Sequence, residues 1–236
     1  MTNERRRELA ERAAAVREAL AGAAKEAGRA PEDVTLVAVS KLHPASDVRD
    51  LAESGQTEFG ENYVQEALAK QEALAGLPVN WHFIGGLQSN KAKYVAGNFT
   101  LVHSVDSSKL AQALHKKAAS LGLVQDILLQ VNIAGEVQKS GVPEKSLPRL
   151  AEEVLSLKGV RLVGLMTMPP FFDDPEGARP VFSRLRELRD GLETRLGMRL
   201  PHLSMGMTGD FIPAVQEGAT LVRIGTRIFG ERPPRG

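Results

Sequence analysis

The stretch "TLVAVSKLHP", Thr35 to Pro44, carries β-forming residues straight into Lys41 before the chain breaks at Pro44. Lysine supplies the primary side-chain amine, and partial burial that lowers its pKa yields the neutral nucleophile an imine requires. A lysine ending a strand is also an ordinary surface residue, so the chemistry needs a second feature. Two loops near the C-terminus provide it. "LSMGMTGDF" (Leu203 to Phe211) carries Ser204, Gly206, Thr208 and Gly209, and "RIGTRIFG" (Arg223 to Gly230) carries Gly225 and Thr226. Glycines let backbone N–H groups approach an oxyanion and hydroxyls add donors, which together suit a phosphate. An amine facing a phosphate cradle matches pyridoxal phosphate, whose aldehyde and phosphate are both substituents of one pyridine ring. A cofactor-free aldolase or phosphosugar isomerase working through a Schiff-base lysine would use the same parts, and both remain open on the residues alone.

The elements that must position these groups follow from the apolar pattern. From Glu4 to Ala27 the residues Leu9, Ala13, Val16, Leu20 and Ala24 recur at three- and four-residue steps, one face of a helix that Gly28 stops. Beyond it, short β-like runs alternate with helical ones: Val34–Ser40, Glu58–Glu61, Trp81–Gly85, Leu101–Val105, Asp126–Ile133, Arg161–Met168, His202–Met205 and Thr220–Gly225. Most are continuous rather than alternating apolar runs, as in parallel strands covered on both faces. About eight strands alternating with helices predict an α/β fold, a single (β/α)8 TIM-type barrel preceded by an N-terminal helix. An open doubly wound sheet is disfavoured because no Gly-x-Gly-x-x-Gly follows the first strand. In such a barrel the chemistry sits at the C-terminal strand ends, here Lys41, Asn62, His82, His103, Asn132, Thr167, Ser204 and Arg223.

The motifs "AVSK" with Lys41, "FGENYVQEA", "WHFIGGLQSNK", "GLMTM", "LSMGM" and "VRIGTRIFG" occur in an order and spacing that resemble the pyridoxal phosphate homeostasis (YggS/PROSC) family, from about Val34 to Gly230. The resemblance implies a barrel like the N-terminal domain of alanine racemase, with pyridoxal 5'-phosphate held by Lys41 as an internal aldimine. It implies phosphate contacts at Ser204, Gly206, Gly225 and Thr226, Arg223 as partner of the ring nitrogen, and mouth positions for Asn62, His82 and Met166. Thr208 departs from the serine frequent in that family but keeps the hydroxyl. The domain expectation is one unit over residues 1–236, with a helix over 1–28 and the barrel over 34–230.

Composition bounds the function from outside. The 236 residues carry a formal net charge of +1, which offers no global field for nucleic acid or an anionic membrane. Cys is 0, removing disulfides, thiolate nucleophiles and cysteine metal sites, and fitting a cytoplasmic setting. No histidine spacing suggests a metal, no run is long enough to span a membrane, and no apolar stripe suggests an oligomer, so a monomer is expected. An arginine against a pyridine nitrogen keeps that nitrogen unprotonated, since a guanidinium does not give up its proton readily. The ring is then a weak electron sink, and the expected function is holding and delivering the cofactor without dedicated turnover, with apo pyridoxal-dependent enzymes as partners. An amino-acid racemase is the alternative. It would need a second acid/base group, whereas Tyr63 and Tyr94 fall in predicted helical segments and no second domain is expected after "ERPPRG"; His82 or His103 could substitute, but each is expected as a hydrogen-bonded mouth residue. Phe171 and Phe172 are expected to anchor the loop over the mouth, and Trp81 to sit in the core.

Overall fold

The computed structural model describes residues 3–136 and 140–231; most of the C-terminal segment discussed above, residues 232–236, lies outside them. Eight parallel strands form the sheet: β1 (Thr35–Val39), β2 (Glu58–Glu61), β3 (Asn80–Phe83), β4 (Leu101–Val105), β5 (Gln125–Asn132), β6 (Val160–Met166), β7 (His202–Ser204) and β8 (Leu221–Ile224). They pair in the order β4-β3-β2-β1-β8-β7-β6-β5, and β5 returns to β4, so the sheet closes into a barrel. Each strand lies close to its predicted position. A two-residue segment, Val142–Pro143, pairs in parallel with Val131 and Asn132 at the C-terminal end of β5.

Alternation along the strands divides the side chains between two environments. Outward residues such as Leu36, Phe59, Phe83, Val102, Leu203 and Val222 join the main hydrophobic cluster beneath the helices. A fully buried Leu or Phe side chain contributes about 1.5–3 kcal/mol through removal from water. Trp81 belongs to this outer layer, 6.0 Å between ring centroids from Phe59. Inward residues Val37, Leu101, Leu128, Met166 and Leu221 form a small separate cluster inside the barrel. Much of the remaining interior is polar, with His82, His103, Ser204 and Arg223 buried there, and that polarity builds the site.

Helix α1 (Asn3–Glu26) buries Leu9, Ala13, Val16, Leu20 and Ala24, and the chain leaves it through Gly28 at φ 68. Its Arg5 reaches α2 (Ala45–Glu53) through Asp47 Oδ2 at 2.6 Å and the last helix, α9 (Thr226–Phe229), through the Phe229 carbonyl at 2.8 Å. The leading helix thus braces α2, which follows the Lys41 turn, and α9, which begins at Thr226. Three helix starts are built in different ways. Ser107 accepts from the Leu110 N–H at 3.4 Å to open α5 (Ser108–Ser120), whereas Pro44 precedes α2 with no side-chain cap bond. Asp174 accepts from the Glu176 N–H at 3.0 Å and starts a short turn leading into α7 (Arg179–Leu196).

Candidate functional site

At the C-terminal strand ends lies a cavity of about 260 Å³, into which Lys41, Asn62 and Arg223 project from three different strand ends. Thr208 and Gly209 line one side of it and Gly225 and Thr226 another.

Lys41 follows β1, and both of its neighbours are tied down. Val37 packs inside the barrel, so Ser40 faces outward. Ser40 Oγ donates to Glu61 Oε1 at 2.6 Å, while Lys70 Nζ donates to the Ser40 carbonyl at 2.7 Å. The same ammonium bonds Glu61 Oε1 at 2.6 Å and Glu66 Oε1 at 2.7 Å. On the other side of Lys41, the Leu42 N–H donates to Glu66 Oε1 at 2.5 Å. Leu42 has φ 66, the one left-handed non-glycine backbone among the described residues, a strain of about 1–3 kcal/mol that the surrounding bonds sustain. Glu66 and Lys70 stand one turn apart on α3 (Val64–Ala73), so that helix supplies the clamp. Burial pushes the Glu61 carboxyl up, with the Lys70 ammonium opposing it, and Glu61 Oε2 is buried without a hydrogen-bond partner.

Arg223, on β8, is 4% exposed. Its Nη1 donates to Ser204 Oγ at 2.5 Å and its Nη2 to the Thr167 carbonyl at 3.1 Å. Burial lowers its pKa to about 10, with Asp210 pulling the other way, so it remains a cation at neutral pH. Asp210 also shapes the glycine loop: its Oδ1 accepts from the Met207 N–H at 2.6 Å, and the Met207 carbonyl accepts from the Asp210 N–H at 3.1 Å. This turn presents Thr208 and Gly209 to the cavity. Gly206, at φ 90, lets the loop lie against α8 (Phe211–Gln216), because a Cβ there would stand 2.7 Å from the Ala214 Cβ. Gly85 plays a similar part beside Asn62, whose carbonyl oxygen would lie 2.2 Å from an added Cβ. Asn62 Oδ1 is buried without a hydrogen-bond partner at the cavity wall.

Of the residues expected at the site, the structure brings Lys41, Asn62, Arg223, Gly225 and Thr226 to the cavity. It places His82, Met166, Ser204 and Gly206 behind its walls. Met166 is fully buried in the inner apolar cluster, and Gly206 faces α8. His82 and Ser204 lie in the barrel interior, where strand alternation turns them toward the axis. His103 is there too, whereas Thr167 donates to the Val131 carbonyl and Asn132 to the Glu136 carbonyl. His43, Met168 and Met207 line the cavity and were not foreseen as site residues. His43 stacks on Phe229, 5.0 Å between centroids, on a loop whose path no local pattern encodes. Phe172 packs against Gly177 as a loop anchor should, but Phe171 is 89% exposed. Tyr63 stands just before α3 and not within it.

The chain matches the alanine racemase N-terminal domain family over residues 13–233. It is 47% identical over 222 residues to the pyridoxal phosphate homeostasis protein of Aquifex aeolicus (strain VF5), covering 94% of this chain and 97% of that one. The chain belongs to the pyridoxal phosphate homeostasis protein family. The protein of that name from Escherichia coli (strain K12) is 40% identical over 231 residues, covering 95% of this chain and 97% of its own length. Among solved structures, PipY of Synechococcus elongatus PCC7942 with PLP bound superposes with a TM-score of 0.84 at 38% identity, covering 94% of this chain and 100% of that one. Alanine racemase of Clostridium difficile 630 gives a TM-score of 0.69 at 16% identity over 86% of this chain and 54% of that chain, a likeness of fold alone. Membership in the pyridoxal phosphate homeostasis protein family agrees with the resemblance drawn from the motifs around Lys41 and Arg223. The closed barrel with a leading helix is the fold that the resemblance implied.

Proposed function

We propose that this chain binds pyridoxal 5'-phosphate at Lys41 and serves its intracellular homeostasis, holding the cofactor and passing it on without a turnover reaction of its own. The observation that carries the reading is one cavity containing an amine, a buried donor-only cation and two glycine–hydroxyl loops on separate strand ends. The names of the relatives and the PLP-bound neighbour support it. The residues present fit the group. Asn62 Oδ1 is a buried acceptor awaiting a partner, and Thr208, Gly209, Gly225 and Thr226 offer hydroxyl and backbone donors to an anion. Lys41 would supply the attaching amine and Arg223 the donor to the ring nitrogen.

When bound to an enzyme, the cofactor contributes an electron-withdrawing ring that stabilises a carbanion at an amino-acid Cα. Arg223 weakens that capacity, because a guanidinium held near pKa 10 donates a hydrogen bond and retains its proton. That favours storage and transfer over catalysis. The cytoplasmic setting and the apo-enzyme recipients belong to this proposal; the described residues include no helix long and apolar enough to cross a membrane.

The test is hydride reduction of the protein incubated with the cofactor, followed by digestion and peptide mass. Added mass on the Lys41 peptide, absent from Lys41→Ala, is expected; no added mass, or mass on another lysine alone, overturns the reading. Cα proton exchange in alanine well above that of free cofactor would replace the carrier with a racemase. Activation of an apo enzyme despite excess aldehyde scavenger is expected for direct handover, and its complete loss would leave a reservoir.

A further inference from the structure

A line of hydrogen bonds crosses the barrel interior beneath the cavity and ends at the first residue of β2, where the cofactor reading assigns no task. Glu58 Oε2 lies 2.8 Å from His82 Nε2, His82 Nδ1 lies 2.8 Å from His103 Nε2, and His103 Nδ1 lies 2.8 Å from Ser204 Oγ. Ser204 Oγ in turn accepts from Arg223 Nη1. The five residues come from β2, β3, β4, β7 and β8. They stand at inward positions, since Gly60, two residues beyond Glu58, faces Val37 inside the barrel.

The two ends dictate the direction of every bond between them. A guanidinium only donates and a carboxylate only accepts. Ser204 therefore receives from Arg223, and its own proton must go to His103 Nδ1. His103 must then carry its proton on Nε2 and donate to His82 Nδ1, and His82 must carry its proton on Nε2 and donate to Glu58. Every donor and acceptor on this path is used.

The opposite arrangements fail on the same count. With His82 as the neutral Nδ1–H tautomer, its bare Nε2 would face the Glu58 carboxylate, acceptor against acceptor. With His82 cationic, His103 would donate to Ser204, which already receives from Arg223. The Ser204 hydroxyl proton would then have no other acceptor among the described residues, in a side chain that is 0% exposed. Burial, reinforced by the Arg223 cation, holds the His103 pKa well below 6.5, in keeping with a neutral ring. Burial alone would push Glu58 up, but bonds from His82 and Asn80 outweigh it and keep the carboxyl below its ordinary range, so the anionic end is maintained.

We propose that Glu58, His82, His103 and Ser204 form a one-directional hydrogen-bond wire, with both imidazoles as Nε2–H tautomers, that positions the Arg223 guanidinium at the floor of the cavity. Arg223 is gripped at Nη1 by the wire and at Nη2 by the Thr167 carbonyl, which fixes the plane of its donors. Glu58 is then a positioning residue for a site at the other end of the barrel. The consequence for the cofactor rests on the function proposed above; the wire itself does not.

The experiment is long-range 1H–15N spectroscopy of the full chain, histidine-labelled and without cofactor, at neutral pH, with single-histidine variants for assignment. His82 and His103 are both expected as neutral Nε2–H tautomers. Either ring found as the Nδ1–H tautomer or as imidazolium overturns the proposal. Glu58→Gln, which retains an acceptor oxygen, should preserve both tautomers. Glu58→Ala removes the acceptor of the His82 Nε2–H while the Arg223 end still dictates both tautomers, and it should weaken pyridoxal phosphate binding several-fold; unchanged binding in folded Glu58→Ala would also overturn the positioning role. Should Glu58→Ala fail to fold, the wild-type spectrum and Glu58→Gln still decide. Wild-type protein with the expected tautomers but no cofactor binding would sink the cofactor reading and leave the wire standing.

Discussion

Two polar clusters are buried on opposite faces of the same short strands, and they hold the cavity by different physics. Outside the barrel, Lys70, Glu61 and Glu66 clamp the backbone on both sides of Lys41 through direct contacts between charges. Inside, the cation Arg223 and the anion Glu58 are separated by neutral groups, and what is held is a side chain. Strand alternation sorts them: Glu61 and Glu58 are three residues apart on β2 and face opposite ways. A cluster of charges in contact depends on all its members, because removing one leaves the others buried and unpaired. A relay of neutral donors and acceptors transmits geometry, and its failure is graded.

That contrast predicts the largest effect at the outer cluster. Lys70→Met leaves Glu61, 0% exposed, without its counter-ion, and should cost about 3–5 kcal/mol of stability, read from urea unfolding. The loss should be greater at pH 8 than at pH 5, since a carboxyl already pushed up by burial takes a proton and sheds the unpaired charge. Lys70→Met with Glu61→Leu should recover much of the stability. Equal destabilisation in the single and double variants would show that the cluster is not held by charge pairing.

The inner cluster should respond less in stability and more in binding. Arg223→Met leaves the Thr167 carbonyl and Ser204 short of a donor, a loss of about 1–3 kcal/mol. Pyridoxal phosphate should dissociate about tenfold more readily for want of one charge-assisted bond, while hydride-trapped mass still falls on the Lys41 peptide. If Arg223→Met abolished trapping at Lys41 in a folded protein, the two clusters would not be separable.

The strands and the two chemical ends of the cavity were legible in the sequence for a plain reason. Continuous apolar runs such as Ile127–Leu129 need only local pattern to be recognised, and Lys41 and Arg223 stand close to the ends of such runs. The clusters behind them depend on non-local pairing. Lys70 meets Ser40 across 30 positions of chain, and His103 meets Ser204 across 101, so neither pairing has a local signature. Signals existed all the same. Glu66 and Lys70 have the one-turn spacing of a helix pair, and His82 and His103 sit inside strands at positions of one parity, where an imidazole must find partners. His82 and Ser204 share the inward parity of Asn62 and Arg223 but pair with Gly60 and Leu221, one inward layer below them, a depth that the alternation of a single strand does not encode. His43 and Met168 were missed because the loops that bring them back over the cavity carry no periodicity.

Acid provides a third comparison, because the two clusters titrate in opposite senses. His103 is held well below 6.5 in the fold, so between its folded and unfolded pKa values the unfolded chain binds more protons. Its contribution is therefore complete above about pH 6.5 and is lost as pH falls below that value. His202, lowered chiefly by burial, adds to the same slope. Unfolding free energy measured from pH 7.5 to 5.5 should decline, and His103→Gln should flatten the decline. An unaltered slope in His103→Gln would mean that His103 takes a proton in the fold and that the inner cluster is not kept neutral.

The smallest effect belongs to the loop that closes the cavity between the two clusters. Thr208 reaches the cavity from a turn fixed by Asp210 and by the close packing of Gly206 on α8, and neither depends on the Thr208 methyl group. Thr208→Ser keeps the donor and should leave both stability and pyridoxal phosphate affinity within about 0.5 kcal/mol of the wild type. Thr208→Ala removes the hydroxyl and should weaken binding by about the worth of one neutral hydrogen bond, 0.5–1.5 kcal/mol, with the unfolding midpoint unchanged. Equilibrium titration followed at the absorbance of the bound cofactor separates these outcomes. If Thr208→Ser weakened binding as much as Thr208→Ala, the methyl group would be setting the shape of the loop and the hydroxyl would not be the contact.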